Sequence, residues 1–176
     1  VERYLLGSVT EKVVRLTDVP VLTVKAEEDS EATYPYTDIL VPTDGSEGSE
    51  AAIDPAVDVA STYDARLHAL SVIDTMALGA DVRSGAILDA LEESAQSAVE
   101  TIEEQATQAS MSAVETAIEH GNPYRGIRSY VEEHDIGLVV MGTQGRSGIE
   151  RYLLGSVAEK TVRTSPVPVM TVRQSE

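Results

Sequence analysis

The sequence predicts a three-layer α/β domain: a parallel β-sheet with helices on both faces. Three observations carry this. Apolar strand-like runs alternate five times with segments of helical period. Leu138-Val139-Val140-Met141 is continuously apolar, as expected of a strand buried on both faces. Gly121-Asn122-Pro123 ends one run and opens a helix, with Asn as N-cap and Pro at the first helical position.

Taken in order, Ile39–Val41 is a short apolar strand that stops at Pro42. Glu47–Tyr63 is helical by the spacing of Ala51, Ala52, Ala56, Val59 and Ala60. Leu67–Ile73 reads as the second strand. Ile87, Leu91, Ala95, Ala98, Ile102 and Ala106 recur at three- and four-residue steps and mark the buried face of a long helix. Met111–Ile118 reads as the third strand, Pro123–Glu133 as a helix and Leu138–Met141 as the fourth strand. Ser156–Arg163 is a helix, and Val167–Val172 closes the pattern.

The two ends of the chain are copies of one another. Residues 1–28 and 149–176 align without gaps, with about 18 of 28 positions identical, including the block ERYLLGSV. Two terminal copies do not make a solenoid. The economical reading is that residues 1–25 are the tail of an upstream domain, 26–35 an acidic linker, and 36–176 an intact domain. Val167–Val172 is expected at a sheet edge, because Pro168 cannot donate to a ladder, and an apolar edge invites pairing. Val19–Val24 is the same strand with Leu22 in place of Met170. It is therefore expected to pair antiparallel with Val167–Val172, within one chain or between two. The linker Lys25–Thr37 spans up to roughly 43 Å when extended, enough for the return.

Composition removes several function classes. With 13 basic against 30 acidic residues the net charge is −17, which opposes a nucleic-acid backbone. Cysteine is absent, excluding disulfides, thiolate-bound metal and a thiol nucleophile. No apolar run reaches the roughly 18 residues of a membrane span, and no secretory leader is visible, so a cytoplasmic location is expected. The acid is spread along the chain and lysine occurs only at Lys12, Lys25 and Lys160. Adaptation to high salt, where screening removes self-repulsion, accounts for this; an ordinary acidic surface is the other reading.

The fourth strand runs straight into Gly142-Thr-Gln-Gly145-Arg-Ser-Gly148, and Gly155-Ser156 then precede a helix. In open α/β sheets ligands sit where strands end and helices begin, and glycines there let backbone N–H groups approach phosphate oxygens. The helix opening at Ser156 directs its positive end to the same place. Residues 146–163 carry Arg146, Arg151, Lys160 and Arg163 against Glu150 and Glu159, a local +2 in a chain of −17. The spacing is neither a Walker loop nor the dinucleotide fingerprint. A plain glycine turn, with Ser156–Glu159 as a capping box, is the alternative.

Gly142-x2-Gly145-x9-Gly155-Ser156 resembles the nucleotide-binding motif of the ATP-binding branch of the universal stress protein family (UspA-like). The likeness extends to ILVPTDGS at 39–46, LSVID at 70–74, GNPYRGI at 121–127 and LLGSVAEKTVRTSPVPVMTV at 153–172. It implies an adenine nucleotide alpha hydrolase-like fold, five parallel strands in the order 3-2-1-4-5, and pairing of subunits through the last strand. The expected cofactor is ATP with Mg²⁺. The resemblance places Pro42, Thr43 and Asp44 at the adenosine, Val72 against the adenine, and Met141 and Gly142 at ribose and α-phosphate. Gly145, Arg146, Ser147, Gly148, Gly155, Ser156 and Val157 would wrap the phosphates. Plainer roles exist beside these: Asp44 as a helix N-cap, Val72 as core, Arg146 as a solvated charge. The N-terminal copy keeps Gly7-Ser8 but lacks the upstream Gly-x-x-Gly.

Other constellations are weaker. His68, His120 and His134 show no metal-ligand spacing, so no metal site built from side chains is expected. There is no G-x-S-x-G elbow. The paired acids Glu92-Glu93, Glu103-Glu104 and Glu132-Glu133 fall in helical segments and read as solvated. The loop Asp74–Gly85 reads as a surface connection able to cover a ligand. No acidic residue belongs to the phosphate loop itself, and Glu150 is the nearest in sequence. The expected function is therefore a nucleotide-dependent stress or signalling module, the alternative being a slow ATP hydrolase or phosphoryl-transfer enzyme. Valine at Gly142 or Gly145 is expected to abolish nucleotide affinity while sparing the fold.

Overall fold

A computed structural model describes residues 7–25, 34–76, 85–145 and 154–174. Among these residues twelve elements follow one another: α1 (Ser8–Leu16), β1 (Val21–Thr23), β2 (Asp38–Pro42), α2 (Glu47–Glu50), α3 (Ile53–Tyr63), β3 (Arg66–Asp74), α4 (Gly85–Gln108), β4 (Val114–Gly121), α5 (Pro123–Glu133), β5 (Leu138–Gly142), α6 (Ser156–Thr164) and β6 (Val169–Val172). They form one sheet in the order β1-β6-β5-β2-β3-β4. The pairs β2–β3, β2–β5, β3–β4 and β5–β6 are parallel, and β1–β6 is antiparallel. The sheet is thus six-stranded and mixed, not the five-stranded all-parallel sheet expected. The sixth strand comes from the N-terminal copy.

Strand parity divides the core into two layers. Ile39, Val41, Leu67, Ala69, Leu138 and Val140 face α3 and α4, meeting Ile53, Ala56, Ala60, Val99 and Ile102. Leu40, Leu70, Val139 and Met141 face α5 and α6, meeting Ile127, Tyr130, Val131, Ala158 and Val162. Both faces of the central strands are covered, which is why β5 reads as an unbroken apolar run.

Several boundaries moved for local reasons. The helix expected over Glu47–Tyr63 breaks into α2 and α3 at Ala51-Ala52. Pro55, in the first turn of α3, has no N–H to give to Ala51, so no continuous ladder crosses the break. The third strand starts at Val114 and not Met111, because Met111 N–H donates to Ala106 O and Ser110 turns the chain at φ 63°. The last strand starts after Pro168, whose carbonyl still accepts from Val139 N–H.

The pairing expected of Val19–Val24 occurs within the chain, over Val21–Thr23. Its register is Val21↔Thr171, Leu22↔Met170 and Thr23↔Val169. Leu22 and Met170 are equivalent in the repeat, so the two strands meet about a local two-fold axis through that pair. Consequently β6 is not an edge; β1 is. The helices repeat as well as the strands. The residues preceding α1 and α6, Gly7 and Gly155, have φ/ψ of −59/144° and −59/146°. Arg15–Glu11 and Arg163–Glu159 are matching ion pairs at 3.2 Å. Val14 is 1% exposed, so α1 is docked, and Arg173 Nη1 donates to Asp18 Oδ1 at 3.2 Å. Among the described residues no helix is long and apolar enough to cross a membrane.

Candidate functional site

Parallel strands deliver their carboxyl ends to one side of the sheet, and a crevice of about 230 Å³ opens there between β2, β3 and β5. Ten of the thirteen residues expected at a site line it: Pro42, Thr43, Asp44, Val72, Met141, Gly142, Gly145, Gly155, Ser156 and Val157. Arg146, Ser147 and Gly148 lie outside the described residues, as do Glu150 and Arg151 and most of the 74–85 loop. The structure adds Ser49, Leu70, Pro123, Ile127, Thr143, Gln144 and Ala158. Leu70 and Ile127 belong to apolar periodicities that say only that they are buried. Thr143 and Gln144 sit inside the glycine motif, the one signal that could have found them.

The crevice has two kinds of wall. On the β3–α5 side Leu70, Val72, Pro123 and Ile127 present carbon. On the β5–α6 side Thr143, Gln144, Gly145, Gly155 and Ser156 present backbone and hydroxyl groups. Three hydrogen bonds fix the polar rim: Thr43 N–H to Leu70 O at 2.8 Å, Thr143 N–H to Val172 O at 2.9 Å, and Gly155 N–H to Thr143 O at 2.8 Å. The last one holds the start of α6 against the end of β5.

At both helices the plainer capping roles offered beside the ligand readings are not the ones adopted. Helix α2 is capped by Ser46, which accepts from Ser49 N–H, so Asp44 is not the N-cap. Asp44 instead accepts at Oδ1 from Ser46 N–H at 3.0 Å and from Ser46 Oγ at 2.5 Å, an Asx-type turn that fixes its carboxylate at the crevice. Thr43 Oγ1 and Ser49 Oγ are 3.1 Å apart and buried, and Gly45 N–H donates to Thr43 Oγ1 at 3.1 Å. At α6 the residue before the helix is Gly155, with no side-chain cap, and Ser156 is the first helical residue. The capping box that was the alternative reading of Ser156–Glu159 therefore does not form, and Gly155, Ser156 and Val157 at the start of α6 line the crevice with no cap from the Gly155 side.

The glycines do different work. An added Cβ at Gly142 would lie 2.9 Å from Ser49 Cα and closer still to the Gly48 carbonyl oxygen, both main chain. Gly142 is thus the point where β5 packs against α2, and the expectation that valine there spares the fold is corrected. An added Cβ at Gly145 would lie 2.6 Å from Asp44 Oδ2, a side-chain atom that can turn away. Of these two, Gly145 is the cleaner probe of the crevice.

Residues 35–173 match the universal stress protein family. The chain is 34% identical over 142 residues to universal stress protein MJ0531 of Methanocaldococcus jannaschii, covering 79% of this chain and 83% of that protein. Among solved structures it is similar to UspA of Lactobacillus plantarum, at TM-score 0.71 and 30% identity, over 80% of this chain and all of that one. A universal stress protein solved in complex with cAMP superposes at TM-score 0.60 and 26% identity, over 80% of this chain and 98% of that one. One from Archaeoglobus fulgidus, at TM-score 0.67 and 28% identity, is matched over 98% of this chain but 57% of its own length.

Proposed function

This chain belongs to the universal stress protein family, and on that premise we propose that the crevice between β2, β3 and β5 binds an adenine nucleotide, ATP with Mg²⁺ shared between phosphates and water, as a nucleotide-dependent stress-response module. The observation that carries the reading is the convergence of an apolar wall and an uncapped helix start on one crevice. Leu70, Val72, Pro123 and Ile127 offer a surface for a flat base, and the N–H groups of α6 beside Gly145 and Gly155 suit phosphate oxygens. Asp44, fixed by Ser46, would accept from ribose hydroxyls. The family member crystallised with cAMP supports an adenine ligand for this fold.

Binding is favoured over catalysis by the crevice itself. Among its described lining residues Asp44 is the only carboxylate, and its Oδ1 is committed to Ser46. Fast phosphoryl transfer needs a positioned base or water-orienting group. Turnover of ATP is accordingly expected well below about 10 per second, the median for enzymes. We read residues 1–25 as the last helix and strand of an upstream domain of the same family. The match of the Archaeoglobus protein across 98% of this chain supports that reading. Titration calorimetry with ATP and Mg²⁺ in high salt tests the proposal. Saturable binding that Gly145→Val weakens at least tenfold is expected; equal affinity in wild type and variant would remove the crevice as the site.

A further inference from the structure

The fold brings together a group that sequence spacing keeps apart. His68 on β3 is 1% exposed, Glu115 stands opposite it on β4 in the parallel register, and His134 caps the end of α5. The His68 and His134 ring centroids are 5.8 Å apart. One donor atom from each of His68, Glu115 and His134 falls within 4.8 Å of the others. His120, by contrast, is elsewhere, 3.2 Å from Glu92. Sequence spacing gave these histidines no common site, yet the fold brings two of the three beside one carboxylate. We propose that His68, Glu115 and His134 bind one divalent transition-metal ion, with Zn²⁺ as the matching ion and water in the fourth position.

The hydrogen bonds around His68 set its tautomer. Nε2 lies 3.1 Å from Asp38 Oδ1, and a carboxylate only accepts, so Nε2 carries a proton. In the neutral ring Nδ1 then presents a lone pair. It faces Tyr130 Oη at 3.1 Å and Glu115 Oε2 at 3.6 Å. Nδ1 and Glu115 Oε2 thus direct two electron-pair donors at one region, which a cation can bridge. The Tyr130 hydroxyl donates a hydrogen bond to Nδ1 in the metal-free protein, and a metal at Nδ1 takes the place of that bond once the His68 and Tyr130 side chains shift apart. Tetrahedral Zn²⁺, with bonds of about 2.0–2.2 Å, separates its ligand atoms by about 3.3–3.5 Å, close to the observed 3.6 Å. The Asp38–His68 pair is the carboxylate–histidine arrangement that orients imidazole ligands and raises their basicity.

The remaining contacts agree with this assignment. Arg66 Nη1 holds Glu115 Oε1 at 3.1 Å, leaving Oε2 turned to the imidazole. His134 is exposed and stacked on Tyr130, with centroids 3.9 Å apart, so its ring is held near and has room to close. Two imidazoles and one carboxylate select zinc-like ions over the oxygen-seeking Mg²⁺ expected at a nucleotide. The site is separate from the crevice and independent of the nucleotide reading.

The test uses the full chain, freed of metal by chelation and without nucleotide, titrated with ZnCl₂ in high salt. One equivalent should bind saturably. His134→Ala and Glu115→Gln, both at exposed side chains, should keep the wild-type circular dichroism and each weaken Zn²⁺ at least tenfold. Co²⁺ in place of Zn²⁺ should give the intense visible bands of a tetrahedral site in the wild type and lose them in His134→Ala. Absence of saturable Zn²⁺ binding, or affinity unchanged in both variants, would overturn the assignment.

Discussion

Gly142 and Gly145 are three residues apart in one motif, yet valine should harm them in different ways. At Gly142 the first added carbon meets the Gly48 carbonyl and Ser49 Cα, so the end of β5 and helix α2 must separate. Overpacking of this kind costs about 1–3 kcal/mol. For a chain of this size each kcal/mol lowers Tm by roughly 2–4 °C, so Gly142→Val should melt roughly 2–12 °C below wild type. At Gly145 the added carbon meets only Asp44 Oδ2, and the carboxylate turns at the cost of its bonds to Ser46, about 1 kcal/mol. Gly145→Val should therefore lose no more than about 2–4 °C, while ATP affinity falls at least tenfold, about 1.4 kcal/mol of binding. Differential scanning calorimetry in high salt, followed by ATP titration of both variants, separates the two effects. A Gly142→Val protein that melts with wild type would refute the packing argument.

Deleting residues 1–25 uncovers β6 along Val169, Met170 and Thr171, the residues that β1 pairs with, so the shortened chain should associate in pairs; light scattering that finds only monomer would count against β1 as a cover. Asn122→Ala removes the cap bond to Arg125 N–H at 3.2 Å and should cost about 1 kcal/mol, read as a lower Tm with unchanged nucleotide affinity. Glu119 is held above its ordinary pKa of 4.5, first by burial and then by Glu133, with His134 opposing. The folded state then holds this proton more tightly than the unfolded chain, so the carboxyl's contribution declines as pH rises from 4.5 through the raised value. Glu119→Gln should accordingly be more stable than wild type at neutral pH and lose that advantage in acid; a pH series of denaturation midpoints with a constant offset would contradict it.

Periodicity is a local property, and whatever depended on it was legible. The long helix around Ile102, the cap at Asn122 and the doubly buried strand at Val139 follow from spacing alone. The β1–β6 pairing was legible for a different reason: the two segments are copies, and an apolar edge accepts its own copy. The break of the 47–63 helix was foreshadowed by Pro55, which a count of alanines ignores. The division of labour between Gly142 and Gly145 was not legible. Both fit one motif, and only the approach of α2 to β5 shows which glycine faces main chain and which faces a side chain. His68 and His134 were unreadable for a stronger reason. Sixty-six positions separate them in sequence, and their meeting requires the register of β3 against β4 together with the length of α5. The sequence by itself determined which segments are strands and helices and which loop is rich in glycine, because hydrophobic spacing and capping act within a few residues. Tertiary structure alone decided which side chains face one another across the sheet, because register and helix docking are settled by the packing of the whole core.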